Sequence, residues 1–223
     1  MQHLRRKDKF VKRILKWFDE NKRDFPWRNT KEPYKILVTE QLLRKTTAKQ
    51  VNDIYEIFYK NFPTPNALAR TPKDKIRSLI RPLGLQNQRV KLLRELSVRL
   101  VELEEVPTDE QGLLSLPGVG QYSADAVRCL AFGEDVPMVD RNVVRVINRF
   151  FSILPPRENK LNEKNVGITR DFIGRFLPKG SSRAFNLALL DFAAIVCKAK
   201  NPKCTHCPLN DLCNWYHKFR VTS

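Results

Sequence analysis

Apolar residues return every three or four positions along nearly the whole chain, and nowhere do they alternate with period two for long enough to make a strand. Phe10, Ile14 and Trp17, with Val11, Leu15 and Phe18, form one such stripe; Phe185, Leu189, Phe192 and Val196 form another. A chain patterned this way buries its apolar side by packing helix on helix, so the fold class is all-α. Pro26, in Asp24-Phe25-Pro26-Trp27-Arg28, ends the first helix by forcing Phe25 out of helical geometry. Helices are expected over residues 34–46 and 49–62, after which Pro63 and Pro65 break the run. Thr71, as an N-cap with Pro72 at the first helical position, opens a short helix that stops near Gly84. Further helices are expected over residues 88–104, from a Thr108-Asp109 cap to 116, from 122 to about 132, and over 141–151, 162–177 and 182–196. Pro155-Pro156-Arg157-Glu158-Asn159 reads as a surface connection. With 223 residues and 42% apolar content, the chain can build one large core or two smaller ones, and two lobes are expected.

The charge points to a polyanion. Lys and Arg number 41 against 24 Asp and Glu, a net charge of +17 spread along the chain instead of confined to a tail, and nucleic acid is the commonest polyanionic partner. No apolar run reaches the roughly 18 residues a membrane span needs, and the longest, residues 188–197, is interrupted by Asp191. The basic opening, residues 1–13, carries Asp8 and lacks the apolar core of a signal peptide, so a cytoplasmic, nucleoid-associated protein is expected.

Cys197, Cys204, Cys207 and Cys213 stand in a C-x6-C-x2-C-x5-C array. Clustered thiolates are soft donors suited to iron–sulfur or zinc. Structural zinc usually draws ligands from two separated knuckles, whereas one compact loop supplies all four here, which suits a [4Fe–4S] cluster. Zinc remains the alternative, with His206 inside the array as a possible ligand. Disulfides are disfavoured, since there is no secretory signal and Cys129 would be left over. Lys198, Lys200, Lys203 and Lys218 surround the array and make it a positive surface.

Leu116-Pro117-Gly118-Val119-Gly120-Gln121-Tyr122, between two short helices, reads as a helix–hairpin–helix, with an ordinary αα-turn as the alternative. Gly118 and Gly120 are expected to adopt backbone angles closed to other residues and to aim consecutive amides at a phosphate oxygen. With these motifs in order, the chain resembles the helix–hairpin–helix DNA glycosylase superfamily of endonuclease III and adenine DNA glycosylase. The resemblance runs from Asp24-Phe25-Pro26-Trp27-Arg28 through the hairpin and Val139-Asp140 to the four cysteines. It implies a six-helix barrel lobe over residues 29–135, and an iron–sulfur cluster lobe built from residues 1–28 and 136–223, with DNA across the cleft between them.

The resemblance also implies roles. Asp140 is the family's catalytic carboxylate, which stabilises positive charge on the deoxyribose as the N-glycosidic bond breaks; a plain N-cap is its other reading. Tyr122 stands where strand-cutting members carry a Lys, and a phenol cannot form an imine, so a monofunctional glycosylase is implied. Glu40 matches a pocket Glu that protonates or hydrogen-bonds the departing base, against a surface pair with Arg44. Asn142 matches an active-site Asn. Leu85, followed by Gln86 and Asn87, matches the loop that fills the stack left by a flipped nucleotide, although Leu85 also suits the apolar follower of a C′ glycine. Leu116, Gly118, Val119, Gly120, Arg44 and Lys45 complete the expected DNA contacts.

Leu43-Arg44-Lys45-Thr46-Thr47-Ala48 is most similar to the archaeal mismatch-specific thymine DNA glycosylases, and the sequence carries no 8-oxoguanine reader after the cysteines. The expected function is therefore base excision repair of T or U opposite G, by a monomer acting on double-stranded DNA. Adenine removal opposite G or 8-oxoguanine is the first alternative, and a non-catalytic iron–sulfur DNA sensor the second. Arg141 replaces a small residue expected between Asp140 and Asn142.

Overall fold

The structure, a computed structural model, describes residues 2–155 and 162–221, so the loop expected at residues 155–159 lies outside them from residue 156 on. Twelve α-helices and no strand occur among the described residues. They are α1 (Gln2–Asn21), α2 (Pro33–Leu43), α3 (Ala48–Asn61), α4 (Pro65–Arg70), α5 (Lys73–Ile80), α6 (Gln86–Glu102), α7 (Glu110–Leu114), α8 (Gln121–Leu130), α9 (Arg141–Phe151), α10 (Glu163–Gly174), α11 (Ser182–Ile195) and α12 (Asn214–Val221). Short 3-10 turns occupy Pro26–Arg28, Arg81–Leu83, Cys204–His206 and Asn210–Leu212. No helix is long and apolar enough to cross a membrane among the described residues. Two compact units result: a middle unit, Asp24–Glu134, and an end unit made of Met1–Arg23 and Asp135–Ser223.

The middle unit is built around α2. Tyr34 and every residue from Ile36 to Leu42 are buried, as expected of a helix surrounded by α3, α6 and α8. A capping box starts α3: Thr47 Oγ1 accepts from the Gln50 amide, while the Thr47 amide donates to Gln50 Oε1. Two expectations are corrected here. The run breaks after Asn61 as expected, but Pro65 also opens a helix that was not expected, α4, with Thr64 Oγ1 accepting from the Ala67 amide, because proline is excluded from a helix interior and not from its first turn. Thr71 does not cap α5: its hydroxyl donates back to the Ala67 carbonyl at 2.7 Å, and Pro72 precedes α5 as its cap residue. Trp27 stacks on Phe25 (ring centroids 4.5 Å) and packs against Tyr55 (5.8 Å), which places Asp24–Arg28 in the middle unit, ahead of the boundary expected at 29.

The end unit closes around an aromatic cluster. Phe10, Ile14 and Phe18 form the buried stripe of α1, which lies on α11. The Phe10 ring meets those of Phe150 (4.8 Å), Phe151 (5.2 Å) and Phe185 (6.3 Å). Asp191, fully buried on α11, accepts from the Arg23 amide at 2.9 Å and from Arg23 Nε, so the charge interrupting that apolar helix is paired. The short helix α12, directly after Cys213, has no counterpart among the expected helices.

Candidate active site and cluster cradle

The hairpin lies in the middle unit, between α7 and α8. Asp109 caps α7 by accepting from the Gly112 amide at 2.9 Å, and this bond holds its carboxyl below the usual range. Arg128 of α8 ties α7 to the turn at the far end of α8, through Glu110 on one side and Glu134 at 2.7 Å on the other. Gly118 has φ +72°, the left-handed region that favours glycine, and a Cβ there would also displace the tip of the Leu92 side chain. The expectation for Gly120 is corrected: its φ of −105° is open to any residue. What Gly120 provides is room, since nothing lies within 4 Å of where its Cβ would be, at the start of α8, whose first amides have no partner within the helix. Leu116 and Val119 are buried, so they can meet a ligand through the backbone but not through their side chains. Tyr122 is half-buried in the first turn of α8.

Glu40, only 8% exposed, sits on α2. The pair with Arg44 does not form: Arg44 Nη1 donates instead to Gln41 Oε1 (3.1 Å) and to the Gly118 carbonyl (3.0 Å), joining the end of α2 to the hairpin. Lys45, exposed, has φ +53°. A second corner also has a positive φ. Leu85, immediately before α6, has φ +52° and ψ +34° and is 47% exposed. A leucine that is both left-handed and open to solvent is unfavourable twice, once for the backbone and once for hydration. Gln86 Nε2 turns back to the Arg81 carbonyl (3.2 Å), and Asn87 Oδ1 accepts from Arg77 Nε (3.2 Å).

Between these corners lies a residue the sequence did not single out. Arg89, 5% exposed on α6, donates from Nη1 to the carbonyls of Gln41 (2.7 Å) and Leu42 (3.1 Å) and from Nη2 to that of Arg44 (3.0 Å). Longer contacts reach the carbonyls of Leu83 (3.5 Å) and Gly84 (3.4 Å). Burial, and to a lesser degree the charge of Arg44, lower its pKa. The available sign was an arginine on the face of α6 that also carries Val90, Leu93 and Leu96.

Asp140 belongs to the end unit and is both cap and candidate acid. Its Oδ1 accepts from the amides of Asn142 and Val143, each at 2.8 Å, and its Oδ2 accepts from Asn142 Nδ2 at 2.6 Å. Asn142 Oδ1 in turn accepts from Arg145 Nη1 at 2.8 Å, and Arg145 Nε donates to the Cys197 carbonyl at 3.0 Å. The carboxylate is thus half-buried with its plane set by three donors. Arg141, next to it, is exposed.

All four array cysteines line one cavity, together with the apolar side chains of Val146, Phe150, Phe192 and Leu209. They are free thiols, and burial pushes the Cys207 thiol up to about 12 and raises those of Cys204 and Cys213. Cationic irons would offset that cost and hold the thiolates ionised. Arg149 Nη1 lies 3.6 Å from Cys197 Sγ, and its guanidinium rests 4.7 Å over the Trp215 ring. His206 is exposed, bonded to Thr205 Oγ1 at 3.0 Å, and is not part of the cavity lining, so the donor set is four sulfurs. A sulfur-rimmed, apolar-walled cavity fits an iron–sulfur cluster.

These features define a helix–hairpin–helix protein with an iron–sulfur cradle. A model of the HhH-GPD superfamily of base excision DNA repair proteins matches residues 38–170, and one of the iron–sulfur binding domain of endonuclease III matches residues 197–213, the span from first to fourth cysteine. The chain belongs to the HhH-GPD superfamily and carries an iron–sulfur cluster domain. It is 44% identical over 212 residues to a thymine/uracil-DNA glycosylase of Methanothermobacter thermautotrophicus, covering 94% of each chain. It is 41% identical to a thymine/uracil-DNA glycosylase of Pyrobaculum aerophilum, with 94% of this chain and 93% of that one covered. Among solved structures, a thermostable thymine-DNA glycosylase superposes with a TM-score of 0.90 at 41% identity, over 98% of this chain and 100% of the other.

Proposed function

We propose that the protein is a monofunctional DNA glycosylase of base excision repair that hydrolyses the N-glycosidic bond of T or U opposite G. The observation that carries this reading is the Asp140 carboxylate, oriented by two backbone amides and Asn142 at the start of α9. As the glycosidic bond lengthens, positive charge builds on the deoxyribose, and a carboxylate already held in place stabilises it without reorganising. Glu40, buried on α2, protonates or hydrogen-bonds the departing base, and Asn142 holds the acid in orientation. Tyr122 offers no amine, so water takes the sugar and the reaction stops at the abasic site.

DNA is gripped by the start of α8 beyond Gly120, by Arg44 and Lys45, and by the Leu85-Gln86-Asn87 corner, with Leu85 entering the stack that the extruded base leaves. Cys197, Cys204, Cys207 and Cys213 hold a [4Fe–4S] cluster, which cross-links the loop they span. The high identity to thymine/uracil-DNA glycosylases along nearly the whole chain supports the choice of base. The protein acts as a monomer on chromosomal DNA in the cytoplasm.

Duplexes bearing G·T, G·U, G·A and 8-oxoguanine·A, treated with protein and then with hot alkali, test this reading. Breaks are expected at G·T and G·U, and only after alkali. Efficient release of adenine with G·T left intact would make the protein an adenine glycosylase, and breakage before alkali would show a lyase.

A further inference from the structure

Arg89 is a buried cation with carbonyls as its partners. An unpaired guanidinium taken out of water is costly unless its donors are met, and three firm bonds and two longer contacts meet them here. Gln41 and Leu42 lie in the last turn of α2, where carbonyls lack partners within the helix and the helix dipole is negative, which accounts for a cation at this place.

The other carbonyls have no such simple explanation. Arg44 directly precedes Lys45, and Gly84 directly precedes Leu85, the two residues held at left-handed φ of +53° and +52°. One guanidinium therefore grips the peptide entering each strained corner. Two further bonds join the same segments: Thr46 Oγ1 donates to the Leu83 carbonyl at 2.9 Å, and Gln50 Nε2 to that of Pro82 at 2.9 Å. Strained backbone persists where its surroundings over-determine it, and here the two corners over-determine each other.

We propose that Arg89 is a positioning residue that locks the Arg44–Lys45 corner and the Leu85 corner into one rigid probe, so that Leu85 enters the base stack while Lys45 engages the opposite side of the same lesion. This rests on the reading of both corners as DNA-contacting. The lock serves base extrusion and not bond cleavage. It holds Leu85 exposed before DNA arrives, so the cost of ordering that corner is not charged to binding.

The test compares two substrates for Arg89→Lys, which keeps the charge but lacks the fork needed to span both corners. On a G·T duplex, where the base must be extruded, the single-turnover rate is expected to fall by about tenfold or more, the equivalent of about 1.4 kcal/mol in the barrier. On a bulged, unpaired U the fall should stay within about threefold, about 0.6 kcal/mol. The fluorescence of a 2-aminopurine beside the mismatch, which reports unstacking, should fall in parallel with the G·T rate. Equal losses on both substrates would overturn the proposal in favour of a merely structural role, as would no loss on either. If Arg89→Lys does not fold, Thr46→Val decides: it removes a neighbouring tie without stranding a buried charge, and should show the same selectivity at smaller size. If the wild-type protein cleaves neither substrate, the glycosylase reading fails separately, and the 2-aminopurine signal alone judges Arg89.

Discussion

At Asp140 the observed cap and the proposed catalytic role fall on one side chain. Oδ1 caps α9, and the same bonds set the plane of the carboxylate. Because Asn caps helices about as well as Asp, Asp140→Asn separates the two roles. The substitution should keep the cap on α9 and mismatch binding, losing only the bond from Asn142 Nδ2, while the single-turnover rate falls by about a hundredfold or more, the usual effect of losing one preorganised electrostatic group. Asp140→Ala should lose the cap as well, at about 1 kcal/mol in denaturant titration. Normal turnover by the Asn variant would leave Asp140 as a cap alone. The capping position of Asp140 was legible because it falls in a short motif at a helix start. Arg89 was harder to read: its place on the apolar face of α6 was the one local sign, while its partners are backbone carbonyls, some more than forty positions away in sequence.

For the elements, the hairpin shows what a motif conceals. Gly118 and Gly120 look equivalent in Pro117-Gly118-Val119-Gly120, yet one is required by the fold and the other only leaves space. Gly118→Ala should destabilise by about 1–2 kcal/mol from the left-handed backbone, the tip of Leu92 shifting to make room. Gly120→Ala should leave stability within about 0.5 kcal/mol, as substitutions away from special features do, and weaken DNA binding severalfold, because its methyl group would occupy the open approach to the start of α8. Equal DNA affinity for Gly120→Ala and wild type would mean that no phosphate comes there. Helix existence was readable from apolar spacing nearly everywhere, whereas the helix boundaries around Pro65 and Thr71 were not. Proline signals a break equally well when it opens a helix, and threonine can bond forwards as a cap or backwards to a carbonyl.

For the whole molecule, the charge of +17 makes a quantitative claim. Each phosphate contact releases counterions, so the logarithm of the affinity for undamaged duplex should fall with the logarithm of salt at about −0.9 per contact. A nearly flat dependence in a binding titration would dissociate the basic surface from DNA. Composition revealed the polyanion, and the cysteine spacing revealed the cradle, because both signals are local or additive. The assembly of one unit from two distant stretches is neither, and it has a consequence for how the protein is made. On the ribosome α1 emerges well before its partner α11, with Phe10, Ile14 and Phe18 along one side. The middle unit can fold meanwhile from contiguous sequence, but α1 stays unpartnered until α11 has been translated. The cysteine loop comes later still, so iron delivery has to await the translation of Cys213, and a starved cell would accumulate molecules with a finished middle unit and an unfinished end unit.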